Sequence, residues 1–264
     1  MPYRIDLAHA PAGALERLID LGALDVDTSR DGGIAALMPD HIGLAEVTHT
    51  LGRRDLTVTA AVGRDEDSVW ILSPRTLQIG RLRIVPEHFR PEPGTLRLID
   101  APAFGTGLHP TTALCLEALD QELQFARPDA VLDVGTGSGV LALAAVMLGA
   151  QAAVAIDVDA AALRAAAENV RLNGMRERIV LAQGGPETIE GAWKLVLANV
   201  LAAPLIEMAP ALVRRVGHHG RLVLSGIHAG VEPDVERVYR RLGMRSVRTV
   251  SREGWVALVL QASW

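Results

Sequence analysis

Between Asp133 and Asp157 the chain carries no charged side chain, and three glycines punctuate the start of that stretch. Residues 134–156 are long enough and apolar enough to span a bilayer. Gly135, Gly137 and Gly139 open the stretch, however, and Gly149-Ala150-Gln151 break it. An acid closes each end. Glycine punctuation between bounding acids predicts a buried strand, a tight loop, an apolar helix and a second buried strand. Such a unit needs cover on both faces of its sheet. The rest of the chain can supply it: 49% of the 264 residues are hydrophobic, which excludes a disordered chain.

From Ala113 onward strands and helices alternate. Helix-like spacing covers Ala113–Phe125, Val140–Leu148, Ala160–Asn173, Ala202–Val216 and Pro233–Leu242. Strands are expected at Ala130–Val134, Ala152–Asp157, Ile179–Gln183, Leu195–Ala198, Arg221–Ile227, Ser246–Ser251 and Trp255–Gln261. The last two meet at Arg252-Glu253-Gly254 with no helix between them, so one must run antiparallel to its partner. The expected fold is α/β: a mostly parallel, Rossmann-like seven-strand sheet closed by a hairpin, as in class I methyltransferases. Residues 1–62 read as β-α-β-β-α-β, a small ferredoxin-like α+β domain. Residues 63–100, broken by Pro86, Pro91, Pro93 and Gly94, read as a connecting segment. Residues 101–264 form the expected chemical domain.

Four features carry chemistry. Asp133-Val134-Gly135-Thr136-Gly137-Ser138-Gly139 follows a strand and opens a helix, the setting of a nucleotide-type cofactor loop. Its spacing is G-x-G-x-G, whereas a dinucleotide fingerprint would need a glycine at Val140. S-adenosylmethionine has no pyrophosphate to cradle, and its ammonium would favour a carboxylate such as Asp133. Asp157 ends the next strand, where an acid can accept two ribose hydroxyls. Asp159 is better placed to cap the following helix, which leaves Asp157 for the cofactor. Phe104-Gly105-Thr106-Gly107-Leu108-His109-Pro110-Thr111-Thr112 is a bent loop ahead of the first helix. Thr111 or Thr112 can cap that helix. Phe104 and Thr112 can also close over the cofactor, and His109 reads as a structural hydrogen-bonding residue. Asn199 lies at the carboxyl end of a strand, where open parallel sheets bind ligands. Its amide oxygen can orient an amine; a turn or helix cap is the alternative.

These residues resemble the PrmA family of bacterial ribosomal protein methyltransferases. Phe104–Gly107 with His109–Thr112, the Asp133–Gly139 loop, Leu197–Leu201, Ser225-Gly226-Ile227 and Glu253–Leu258 carry the resemblance, which covers most of residues 101–264. The connecting segment holds one tryptophan, Trp70, where the family has a tryptophan-rich stretch. The resemblance implies methylation of amino groups on ribosomal protein eleven of the large subunit, with S-adenosylmethionine as donor. It also implies a small N-terminal substrate-recognition domain. By motif, Thr112, Gly135, Asp157 and Asn199 become cofactor contacts, together with Phe104, Asp133, Gly137 and Gly139 from the loops. Asn199 is the expected catalytic residue. A methyltransferase of the same fold acting on a small molecule or another protein is the alternative.

Composition narrows the remaining classes. A net charge of −5 argues against broad binding to nucleic acid or an anionic membrane, while leaving room for a local basic patch. One cysteine, Cys115, and scattered histidines give neither a disulfide framework nor a metal-ligand spacing, so no metal is expected. No signal peptide is read at the N-terminus, and a cytoplasmic protein is expected.

Overall fold

A computed structural model describes residues 1–29, 31–63, 69–73, 75–100, 105 and 107–264. The chain forms two compact units, Met1–Pro74 and Arg75–Trp264.

The first unit contains β1 (Tyr3–Leu7), α1 (Ala14–Asp20), β2 (Asp25–Thr28), β3 (Ile34–Met38), α2 (Leu44–Leu51) and β4 (Thr57–Ala60). Its sheet order is β2-β3-β1-β4, antiparallel throughout, which is the ferredoxin-like arrangement expected from the element order. Period-two alternation sends Ile5, Leu7, Ile34, Ala36 and Met38 into one cluster with Leu18 of α1 and Val47 and Leu51 of α2.

The second unit opens with β5 (Leu77–Ile79), β6 (Leu82–Pro86) and β7 (Thr95–Leu98), a three-stranded sheet of their own. A connecting segment was expected over residues 63–100, not a sheet; proline and glycine between the short strands mask their pairing. Strand β7 is pinned to a later helix: Asn173 Oδ1 accepts from the Arg97 N–H at 2.9 Å, and Asn169 Oδ1 accepts from the Ile99 N–H at 2.8 Å.

There follow α3 (Pro110–Phe125), β8 (Ala130–Val134), α4 (Val140–Leu148), β9 (Ala152–Asp157), α5 (Ala160–Leu172), β10 (Ile179–Gln183) and β11 (Trp193–Asn199). Then come α6 (Ala202–Glu207), α7 (Ala209–Arg214), β12 (Val216–His228), α8 (Glu232–Arg241), β13 (Met244–Arg252) and β14 (Trp255–Ala262). The large sheet runs β10-β9-β8-β11-β12-β14-β13. Its first five strands are parallel, and β14 runs antiparallel between β12 and β13. Alternate side chains feed two cores. Val131, Leu195, Leu197, Val223 and Val259 join α3 and α4 on one face. Leu132, Val196, Leu222, Leu224 and Leu258 join α6, α7 and α8 on the other.

One helix expected over Ala202–Val216 is two, parted at Met208. Pro210 has no N–H to bond the Ile206 carbonyl, and its ring crowds that same carbonyl, so the helix restarts there. Among the described residues no helix is long and apolar enough to cross a membrane.

Candidate functional site

The glycine loop sits where β8 turns into α4. Gly135, Gly137 and Gly139 all have positive φ, at 69°, 54° and 81°. A Cβ on Gly135 would lie 2.5 Å from Val200 Cγ1, and one on Gly139 would lie 3.2 Å from the Ala166 Cβ. Both positions therefore exclude a side chain on steric as well as conformational grounds.

The loop's donors are spent within the protein. The Gly135 and Thr136 N–H groups both donate to the Ile156 carbonyl, at 2.9 and 3.0 Å. The Gly137 N–H donates to Asp157 Oδ2 at 2.9 Å, and the Gly139 N–H to the Thr136 carbonyl at 2.8 Å. A phosphate cradle needs such groups free. This loop offers a curved backbone wall instead, which suits an adenosine cofactor without a pyrophosphate.

Asp133 is fully buried beneath the loop. Its Oδ2 accepts from Thr136 Oγ1 at 2.6 Å and from the Ala142 N–H at 3.2 Å. Its Oδ1 is buried with no partner. Burial pushes its pKa up to about 7; the Asp157 charge adds to the rise, and the Thr136 and Ala142 bonds oppose it. Asp157 stands at the end of β9. Besides holding Gly137 it accepts from the Asp159 N–H at 3.0 Å through Oδ1. Each of its oxygens thus keeps a lone pair, though it is less free than the sequence suggested. Asp159 caps α5 as expected, accepting from the Ala161 N–H at 2.7 Å.

The segment ahead of α3 is tied to the same place. The Ser138 hydroxyl donates to the Gly105 carbonyl at 2.6 Å. His109, not a threonine, is the N-cap of α3: its Nδ1 accepts from the Thr111 N–H at 3.3 Å, and Pro110 fills the first helical turn. The expectation that Thr111 or Thr112 caps this helix is thereby corrected. Proline at the first helical position lacks only an N–H that would have no partner there, which leaves the preceding residue as the cap. Trp255 leans edge-on against His109 and stacks on His228, with ring centres 5.1 and 3.7 Å apart.

Thr112 lies one step inside α3, fully buried, and its Oγ1 accepts from Asn199 Nδ2 at 3.2 Å. Asn199 ends β11 and is itself buried, with Oδ1 unpartnered. Leu201 takes the N-cap position of α6, so capping is not what occupies Asn199. Ser225 supports the pair from β12 by donating to the Thr111 carbonyl at 2.8 Å. The fold therefore gathers Thr112, Asp133, Gly135, Gly137, Gly139, Asp157 and Asn199 at one edge of one sheet. Phe104, the remaining expected contact, lies outside the described residues. Ser138 and Ser225 are supporting residues that spacing could not single out, while His109 makes the structural hydrogen bond expected of it, as the cap of α3. Each serine acts through a backbone group far away in sequence.

The sheet order, its inserted antiparallel strand and a glycine loop with no phosphate cradle define a class I, Rossmann-like methyltransferase domain. Comparison with known proteins agrees. The family model for ribosomal protein L11 methyltransferase (PrmA) matches residues 37–263, well upstream of the motifs that suggested it. A ribosomal protein L11 methyltransferase of Chromohalobacter salexigens is 43% identical over 204 residues, covering 75% of this chain and 67% of its own length. That of Azotobacter vinelandii is 36% identical over 291 aligned positions, covering 98% of both. The crystal structure of the ribosomal protein L11 methylase from Lactobacillus delbrueckii subsp. bulgaricus superposes with a TM-score of 0.65 at 29% identity, over 72% of this chain and all of that one. The chain belongs to the ribosomal protein L11 methyltransferase (PrmA) family.

Proposed function

We propose that this enzyme methylates amino groups of ribosomal protein L11 with S-adenosylmethionine as donor, in the cytoplasm. The observation that carries the reading is the unpaired, buried Oδ1 of Asn199, held by Thr112 at the edge of the sheet that bears the glycine loop. A buried acceptor without a donor is costly unless a ligand supplies one, and an amine N–H is such a donor.

The donor set fits the cofactor. Gly135, Gly137 and Gly139 give an atom-thin wall, Asp157 presents lone pairs to ribose hydroxyls, and Asp133, buried beneath the loop, holds Thr136 and the start of α4 in place. Thr112 adds to the proposed enclosure from α3. When bound, S-adenosylmethionine supplies a methyl group on a sulfonium, an electrophile that needs no acid catalyst.

The chain's own residues handle the amine. A lysine amine has an ordinary pKa of about 10.4 and attacks only when neutral. Withdrawal from water at the buried Asn199 favours the neutral form. Asn199 Oδ1 then accepts one N–H and turns the lone pair toward the methyl position. Positioning of this kind can supply about 7–11 kcal/mol of the barrier reduction.

Charge supports a basic protein substrate. The first 74 residues hold six basic side chains against twelve acidic ones, while the second unit holds twenty against nineteen. The proposed recognition unit thus carries the acidity of the whole chain, as a lysine-rich partner would require.

The test is transfer of labelled methyl from S-adenosylmethionine to purified ribosomal protein L11. Label on L11 is the expected result. No label, with cofactor binding intact by calorimetry, would move the substrate to another protein or a small molecule.

A further inference from the structure

At the opposite end of the large sheet, where β11 and β12 begin and α3 ends, lies an open groove of about 880 Å³. That is within the range of small-ligand sites. Nothing in the methyl-transfer chemistry uses it. Its lining brings Arg127, Lys194, Arg221 and Arg248 against a single acid, Glu122. The imbalance is local, because the second unit as a whole is almost neutral.

The two central arginines are under-satisfied. Arg221 Nε and Arg248 Nη2 share the Glu122 carboxylate at 3.4 and 3.6 Å, and Arg248 Nη1 bonds Gln121. Arg221 Nη1 and Arg248 Nε are buried without an acceptor. One carboxylate cannot serve two guanidinium groups, each with five donors. Among the described residues neither arginine donates to a carbonyl of α3, while Lys194 donates to the His218 carbonyl. Each side chain also keeps a face on the groove, Arg221 at 30% and Arg248 at 32% exposure, and a phosphate's oxygens match the guanidinium fork.

A second observation narrows the ligand. Phe125, at the rim of this groove beside Arg127, is 91% exposed. This chain has only three phenylalanines, and leaving one in water beside a cluster of cations gives a flat apolar face next to a phosphate site. Aromatic faces flanked by cations are how proteins hold a base and its phosphate together. We propose that this groove binds a nucleotide, with the phosphate on the exposed faces of Arg221 and Arg248, away from Glu122, and the base on Phe125. The nucleotide is either free or one unit of a single-stranded RNA.

The experiment uses the full chain saturated with S-adenosylhomocysteine, which occupies the transfer site, and titrates guanosine monophosphate by calorimetry. Binding is expected, at least about tenfold tighter than inorganic phosphate because of the stacked base. Phe125→Ala should bring guanosine monophosphate down to the phosphate level. Arg127→Glu should weaken both by about tenfold and steepen neither affinity for S-adenosylhomocysteine nor its stoichiometry. Arg221→Gln and Arg248→Gln should abolish binding; if either variant loses S-adenosylhomocysteine affinity through misfolding, the two exposed positions decide. A five-nucleotide single-stranded RNA binding about tenfold tighter than the mononucleotide identifies a strand as the source, and equal affinity identifies a free nucleotide. No binding of guanosine monophosphate, or binding that Phe125→Ala and Arg127→Glu leave unchanged, would overturn the proposal.

Discussion

Asn199 uses one half of its amide and keeps the other. Nδ2 is committed to Thr112, and Oδ1 is left for a ligand. Asn199→Ala should therefore lower kcat by about a hundredfold while changing cofactor affinity little. Steady-state kinetics beside calorimetry separates the two; equal losses would assign Asn199 to cofactor binding. Thr112→Val removes the acceptor of Asn199 Nδ2 and should cost about tenfold in kcat, while calorimetry reads separately any loss of cofactor affinity from its proposed contact. Asp133 makes a second prediction at this scale. Its pKa is about 7 in the folded protein and 3.8 in its ordinary state. Between these values the folded protein keeps a proton that the unfolded chain has released. Its contribution to stability therefore falls as pH rises from about 4 to about 7, and stays low above that. Asp133→Asn should remove this slope, so the difference in Tm between variant and wild type should grow in the variant's favour from pH 5 to pH 8. A constant difference would mean that Asp133 keeps its ordinary pKa. Asn199 was legible because strand ends in an open sheet are where ligands bind. Thr112 was legible too, but their hydrogen bond was not, since 87 positions separate the two residues and only the fold joins them.

Elements were most legible where the chain is simplest. The spans Ala130–Val134, Val140–Leu148, Ala152–Asp157 and Ile179–Gln183 coincide with β8, α4, β9 and β10, because short apolar runs there end abruptly at glycine or a charged residue. Legibility failed where one residue changes a hydrogen bond rather than a pattern. Pro210 splits an apolar periodicity that runs on past it, and Pro110 moves the α3 cap back to His109. The β5–β7 sheet was missed because each strand is too short to show alternation. Gly226 is the clearest element-scale lever. Its φ is +86°, and a Cβ there would collide with the Val200 carbonyl oxygen. Gly226→Ala should displace the β11–α6 turn that carries Asn199 and destabilise the protein by about 2 kcal/mol or more. Denaturant unfolding should show that loss together with a fall in kcat. Cys115, buried within α3, has its thiol pKa pushed far above the usual range by desolvation. It should stay unmodified by thiol reagents until the protein unfolds.

At the scale of the whole molecule the two units differ in charge, the first acidic and the second nearly neutral, and the first is the proposed site of substrate recognition. Capture of a basic protein by the first should weaken with ionic strength, whereas cofactor binding in the second should not. Raising salt from about 0.05 to about 0.5 M should increase KM for ribosomal protein L11 several-fold and leave the cofactor Kd nearly unchanged. A salt-independent KM would show that apolar contacts, not charge, recognise the substrate. Strand β14 has a consequence of another kind. It is the last strand in sequence, yet it lies inside the sheet, paired on one side with β12 and on the other with β13. During synthesis, β12 must wait with an open edge, and β13 has no neighbour at all, until residues 255–262 have left the ribosome exit tunnel. Neither β12 nor β13 has its full complement of neighbours before residues 255–262 emerge, so a nascent chain stalled before Trp255 should be cut readily by protease.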